Sequence, residues 1–264
     1  EAVIQMMSTP QALVTATAGC PPWGDDMARN EWASSDGRER HMLAAMNPGK
    51  IFEIRRLRAR HADSKTLVFV DYLDQGEAIA EALLKAYPLM PMEEEGRLND
   101  NMIRENFVER VFAYDDWMQN VAGDKLSARA LIEFHTRHKF QLLAHSEKIY
   151  RQLGPMLGDL KSEPLEDIAE RYIHQFMEAM SKKVSRGSHM NAMQHLMGYL
   201  RDSMGDEDRK VLMEQMEAYH RGEVPLVVPM TLLRMAQRRE PVDYLHAQQY
   251  LTPYPDELGL RNNV

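Results

Sequence analysis

Cysteine is all but absent, with Cys20 standing alone among 264 residues. One thiol excludes an internal disulfide framework and any metal site built from the cysteines of this chain alone. No run of about 18 apolar residues occurs, so no bilayer-spanning helix and no membrane partner is expected. The opening stretch, EAVIQMMSTPQ, lacks a basic segment followed by an apolar core, which argues against a signal peptide and for a cytoplasmic location. Its first residue is Glu1 rather than Met, as expected of a trimmed or partial product. Also missing are a phosphate-cradling glycine loop, a nucleophile elbow, a dinucleotide fingerprint and any internal repeat. These absences set aside several large enzyme classes and every solenoid architecture.

What is present is the composition of a globular protein, 44% hydrophobic and 27% charged, with 20 methionines suited to adaptable packing between helices. The net charge is −8 and is unevenly shared. Residues 1–122 hold 13 Lys or Arg against 20 Asp or Glu; residues 123–264 hold 19 against 20, with eight of the ten histidines. A polyanion would therefore meet a local patch in the second half, not a bulk charge.

The stretch LIEFHTRHKFQLLAHSEKIYR, Leu131 to Arg151, supplies such a patch. Leu131, Phe134, His138, Leu142, His145 and Ile149 follow at steps of three and four, one side of a helix expected over about 125–153. Arg137, Gln141, Lys148 and Arg151 fall on the other side, with Lys139 at the flank, facing water or an anion. His135 and His138 have a spacing compatible with a metal, but no carboxylate stands beside them as in a hydrolytic zinc helix, and no metal site is assigned.

The first hundred residues read as mixed α and β. Lys50–Arg58 and Thr66–Tyr72 are strand-like and could pair, with short helices over Glu39–Met46 and Glu77–Tyr87. The acidic stretch PMEEEGRLND follows, in which Glu93, Glu94 and Glu95 are the catalytic candidates and Asn99 or Asp100 can cap the next helix. In that helix Ile103, Phe107, Val111, Tyr114 and Met118 form the apolar stripe. Beyond it the chain reads as helices over about 164–183, 188–203, 206–221 and 226–239. In the second of these, from Ser188, Met190, Met193, Met197, Leu200 and Met204 make a core stripe, and SKKVSRGSHMN places Lys182, Lys183, Arg186 and His189 around the helix N-terminus, which favours an anion.

Two long segments carry a family likeness. RGSHMNAMQHLMGYL and VPLVVPMTLLRMAQRREPVDYLHAQQYLTPYPDELGLRNNV resemble the bacterial YbgA family, and FHTRHKFQLLAHS is similar to that family's opening helix. Residues 88–114 resemble the junction in longer proteins where a TudS-like thiouracil desulfidase precedes a YbgA-like domain. That resemblance implies sulfur removal from a thiolated uracil of tRNA at a four-iron four-sulfur cluster held by three cysteines, with the YbgA-like part holding the RNA. Cys20 alone cannot supply three thiolates, so no cofactor is assigned to this chain, and a cluster would require the missing cysteines.

The expectation is a mainly α protein: a degenerate or partial TudS-like α/β portion over 1–98, then a YbgA-like helical bundle over 99–264. Its expected function is RNA binding, with tRNA as the partner, through Arg137, Lys139, Lys148, Arg151, Lys182, Lys183, Arg186, His135, His138 and His189. The alternative is a thiouracil desulfidase whose cluster site is incomplete.

Overall fold

The computed structural model describes residues 87–200, 204–239 and 241–262, the segments Ile4–Met7 and Lys65–Val68, and the helical positions Glu81, Leu84 and Lys85. The chain divides into two compact units, Glu1–Met92 and Glu93–Val264.

In the first unit β1 (Ile4–Met7) pairs antiparallel with β2 (Lys65–Val68), Ile4 opposite Val68 and Met7 opposite Lys65. The strand expected over Thr66–Tyr72 overlaps β2. Its expected partner, Lys50–Arg58, lies outside the described residues, as do the helix expected over Glu39–Met46 and Cys20; the pairing described for β2 is with β1, to which sequence patterning assigns nothing.

The second unit is helical: α1 (Asn101–Asn120), α2 (Ala128–His145), α3 (Glu147–Met156), α4 (Leu165–Met180), α5 (Arg186–Tyr199), α6 (Asp206–Arg221), α7 (Val227–Arg239) and the short α8 (Asp243–His246). Asp100 starts α1 by accepting from the backbone N–H groups of Met102 and Ile103, the carboxylate cap expected there. Ser127 caps α2 and Ser185 caps α5 in the same manner. Gly222 ends α6 in the left-handed region at φ +80°, which only glycine adopts freely.

Helix α2 is the hub, packing against α1, α3, α4 and α5. It does not run on to residue 153 as expected. Ser146, at φ −158° and ψ 95°, leaves helical geometry and its hydroxyl accepts from Ile149 N–H, starting α3 on a new axis. Lys148 and Arg151 are thereby carried by a different helix from Arg137 and Lys139.

Two apolar zones close around this hub. Trp117, Phe134, Tyr172 and Phe176 meet between α1, α2 and α4, with Phe134 edge-on to Trp117 at 5.2 Å and to Phe176 at 5.0 Å. Met190, Met193, Leu196, Met216, Met230 and Leu233 form the other zone between α5, α6 and α7, joined by Tyr250 and Leu251 of the returning C-terminal segment. The methionine stripe expected on α5 is buried as core, apart from the half-buried Met197.

The stripe expected on α1 is displaced. Its buried positions are Asn106, Phe107, Glu109, Ala113 and Trp117, so two polar side chains take places that hydrophobic periodicity gave to Val111 and Tyr114. Their partners come from distant parts of the chain.

Candidate functional site

Glu109 lies at the centre of a buried polar network. One carboxylate oxygen accepts from Arg261 Nη2 at 2.7 Å and the other faces His145 Nε2 at 2.8 Å. The His145 ring's Nδ1 sits 2.7 Å from the Lys182 carbonyl oxygen, so both ring nitrogens face oxygen atoms. Burial alone would raise the Glu109 pKa, but the His145 hydrogen bond and the Arg261 charge outweigh it and bring the value down to about 2. Glu109 is therefore a buried carboxylate, held between the Arg261 guanidinium and the His145 ring.

Arg261 reaches this centre from the end of the chain. It donates from Nε to Glu105 at 2.9 Å and from Nη1 to the Tyr250 carbonyl at 2.8 Å, and its guanidinium lies 5.4 Å from the Tyr250 ring centre. Glu105 also accepts from Tyr254 at 3.0 Å. Burial and the neighbouring negative charge of Glu109 hold the Glu105 pKa above its usual range, against the pull of Arg261. Two carboxylates thus share one guanidinium, and their affinities for a proton are driven apart.

The network lines a cavity of about 320 Å³, with Glu105, Glu109, His145, Arg186, His189 and Tyr219 among its walls. Apolar wall is added by Met102, Val184, Leu226 and Leu260. His189 hydrogen-bonds through Nδ1 to Tyr250 Oη at 2.8 Å, and burial together with the Arg261 charge pushes its pKa down to about 3, leaving it neutral. Tyr219 lies edge-on to His189, and burial with the nearby Glu105 raises its pKa to about 12. Asn106 donates to the carbonyls of Met180 at 2.8 Å and Lys182 at 3.2 Å. The basic loop between α4 and α5 is thereby fastened to the polar core beneath it.

The expected nucleic-acid residues do not form one face. Arg137 is turned onto Asp116, donating from Nε at 3.2 Å and from Nη2 at 3.0 and 3.1 Å. The same carboxylate meets His138 Nε2 at 2.7 Å, while His138 Nδ1 faces Gln141 at 2.6 Å; burial would raise the Asp116 pKa, but His138 and Arg137 together lower it. His138, Gln141 and His189 are buried, and His135 bonds Tyr172 Oη at 3.0 Å, its pKa lowered to about 4 by burial and the charges of Lys139 and His138. Gln141, expected on the outer face, is inside because His138 needs a partner.

Lys139 sits 5.7 Å from the Phe140 ring centre and 5.5 Å from that of Tyr244. Tyr244 stacks on the exposed Tyr199, ring centres 5.0 Å apart at 24°. This cation beside two stacked tyrosines was not legible in the sequence, because Tyr199 and Tyr244 lie 45 residues apart and outside every basic run.

Arg151 pairs with Glu147 at 2.5 Å, Lys182 with Glu178 at 3.6 Å and Lys183 with Asp100 at 3.8 Å, all at exposed positions where such pairs are weak. Lys148 and Arg186 are exposed and have no ion-pair partner among the described residues. Glu93 bridges Arg97 at 2.6 Å and Arg110 at 3.3 Å, a tie across the start of α1, and Glu94 is exposed. The side chain of Glu95 lies outside the described residues. Among the described residues no group of three or more His, Cys, Asp or Glu could hold a metal ion, and no helix is long and apolar enough to cross a membrane.

The second unit is thus a helical domain with an ionic core open to a cavity. Residues 139–255 match the family described as "Protein of unknown function (DUF1722)". The "Uncharacterized protein YbgA" of Escherichia coli (strain K12) is 29% identical over 155 residues, 58% of this chain and 91% of that protein, so the helical domain is YbgA-like. Two proteins named "Putative DNA 3'-5' helicase Rad25", from Haloarcula marismortui and Halobacterium salinarum, are 52% and 55% identical over 62 residues. Those matches cover 24% of this chain and 10% of each helicase, so the chain spans about a tenth of their length. No solved structure matches the chain significantly.

Proposed function

We propose that the YbgA-like domain binds RNA, with tRNA as the partner class. The reading rests on the Lys139–Tyr199–Tyr244 cluster, where exposed aromatic surface suited to stacking an unpaired base stands beside a cation. The loop bearing Lys182 and Lys183, with Arg186 at the first position of α5, lies at the other end of that helix, about 20 Å away along it. Its weak surface pairs are readily exchanged for phosphates, and Lys148 adds an unpaired charge. Arg137, His135, His138 and His189 support the fold and are not phosphate contacts in this reading.

Fluorescence anisotropy with tRNA at low salt tests it. With about five phosphates met, the log of the binding constant falls with log salt at a slope near −4. Tyr199→Ala weakens binding by about 1–3 kcal/mol, and Lys182→Gln with Lys183→Gln makes the slope shallower by roughly 2. Unchanged affinity in all these variants, with the fold intact by circular dichroism, would overturn the proposal.

Desulfuration in the TudS manner needs three cluster thiolates, and this sequence has only Cys20, so no step is derived through a cluster. The helicase likeness covers too little of those proteins to bring their activity to this chain.

A further inference from the structure

Three polar atoms in the walls of the cavity make no hydrogen bond with the described residues. They are Glu105 Oε2, His189 Nε2 and Tyr219 Oη. His189 and Tyr219 are more than nine-tenths buried. Among the described residues the fully enclosed side-chain atoms without a partner are Arg110 Nε and Gln248 Oε1, so these three atoms, all on residues that line the cavity, keep some access and are not sealed in the core. Polar groups placed deep in a domain with free valences are costly unless a ligand or water meets them.

The cavity is also polarised. At its edge stand Arg186 and the Asp100 that pairs with Lys183, together with the start of α5. Ser185 caps only the Ser188 N–H, so the first backbone N–H groups of this 14-residue helix remain available to an anion. The Arg186 guanidinium is laid against Gly222, where an added Cβ would fall 2.4 Å from Nη1. In the floor stands Glu105, whose free oxygen accepts a donor. A bare inorganic anion meets Arg186 and leaves the Glu105 oxygen in the floor unanswered; a cation meets Glu105 and leaves the Arg186 guanidinium unanswered.

We propose that this cavity binds a nucleoside monophosphate. Its phosphate meets Arg186 and the N-terminus of α5, its base presents an N–H edge to Glu105, and Tyr219 and His189 bond the remaining polar groups. The volume is at the lower end of the range for small-molecule sites and suits one such unit. The same chemistry is offered by a free nucleotide and by a terminal nucleotide of RNA. The choice of a nucleotide over other organic phosphates rests on the RNA reading given above, whereas the cavity and its polarity do not.

Isothermal titration calorimetry of the full chain with the four nucleoside monophosphates, their nucleosides and inorganic phosphate tests it. The expected result is one-to-one binding of at least one monophosphate, with its nucleoside and phosphate at least tenfold weaker. Tyr219→Phe removes a hydroxyl with no protein partner and leaves the fold intact; it and the exposed Arg186→Gln each weaken the monophosphate at least fivefold. No binding of any monophosphate at millimolar concentration, or binding indifferent to both substitutions, overturns the proposal. Displacement of a 5′-phosphorylated oligonucleotide by the monophosphate supports a terminal nucleotide as occupant, and monophosphate binding without displacement supports a free one. Loss of tRNA binding in Tyr199→Ala with monophosphate binding indifferent to both Tyr219→Phe and Arg186→Gln sinks the cavity alone; weakened monophosphate binding in these two with tRNA affinity unchanged in all the surface variants sinks the surface reading alone.

Discussion

Glu109 and Arg261, 152 positions apart in sequence, meet at 2.7 Å with both side chains nearly sealed from solvent. Only this contact and the Glu105 contact beside it compensate the two carboxylates with the guanidinium. Arg261→Met keeps much of the volume and removes the charge, leaving Glu105 and Glu109 side by side in the core. The expected cost is about 3–5 kcal/mol in urea unfolding. Adding Glu109→Gln recovers a part of it, because one of the two uncompensated carboxylates is then gone. A double variant no more stable than Arg261→Met alone would show that packing of the arginine stem, not charge, carries the effect.

The same network sets an acid limit on stability. His189 in the folded chain takes its proton near pH 3, whereas an unfolded histidine takes it near 6.5. Between these values the unfolded chain holds the extra proton, so stability falls as the pH drops from 6.5. His135, lowered to about 4, acts with the same sign over a narrower window. Glu109, lowered to about 2, adds a second loss as the pH falls from its unfolded value of 4.5 towards 2. From pH 6.5 to 5 the His189 contribution is about 2 kcal/mol. In His189→Asn the fall in urea midpoint over that interval is correspondingly smaller, measured against the parent in the same buffers.

Asn106 links this core to the basic loop. Asn106→Leu fills the space but leaves the Met180 carbonyl without that donor and the Lys182 carbonyl with His145 alone. The expected destabilisation is about 1–3 kcal/mol. Hydrogen exchange separates a local from a global effect: amides of residues 181–186 lose protection more than those of α2.

How much of this was legible in the sequence follows from which periodicity carries it. Helix positions and the methionine core were readable because apolar residues repeat at three and four along each helix. The Asp100 cap was readable because capping is local. The break at Ser146 was missed, since the apolar stripe from Leu142 to Ile149 runs across it and only one hydroxyl marks the change of axis. Asn106 and Glu109 were unreadable as core, because their partners His145, Lys182 and Arg261 come from other elements and no local pattern signals a buried ion pair. Arg137 looked like a solvent-facing cation for the same reason: Asp116 waits on another helix. The cavity's free atoms belong to residues from α1, α5 and α6, and only the fold brings them together.

Gly222 offers the sharpest test of how Arg186 is held at the cavity's edge. Its φ of +80° strains any residue with a side chain, and a Cβ there would also fall 2.4 Å from Arg186 Nη1 and 2.9 Å from its Cζ. Gly222→Ala therefore has two separable costs, backbone strain of about 1–3 kcal/mol and displacement of the guanidinium. Trimming Arg186 to alanine in the same chain removes the steric part and leaves the strain. The expected unfolding free energies place Gly222→Ala well below the parent, with the pair Gly222→Ala and Arg186→Ala losing less than the sum of the two single changes. Strict additivity would mean that the guanidinium moves aside freely, and Arg186 would then not be a fixed element of the cavity at all.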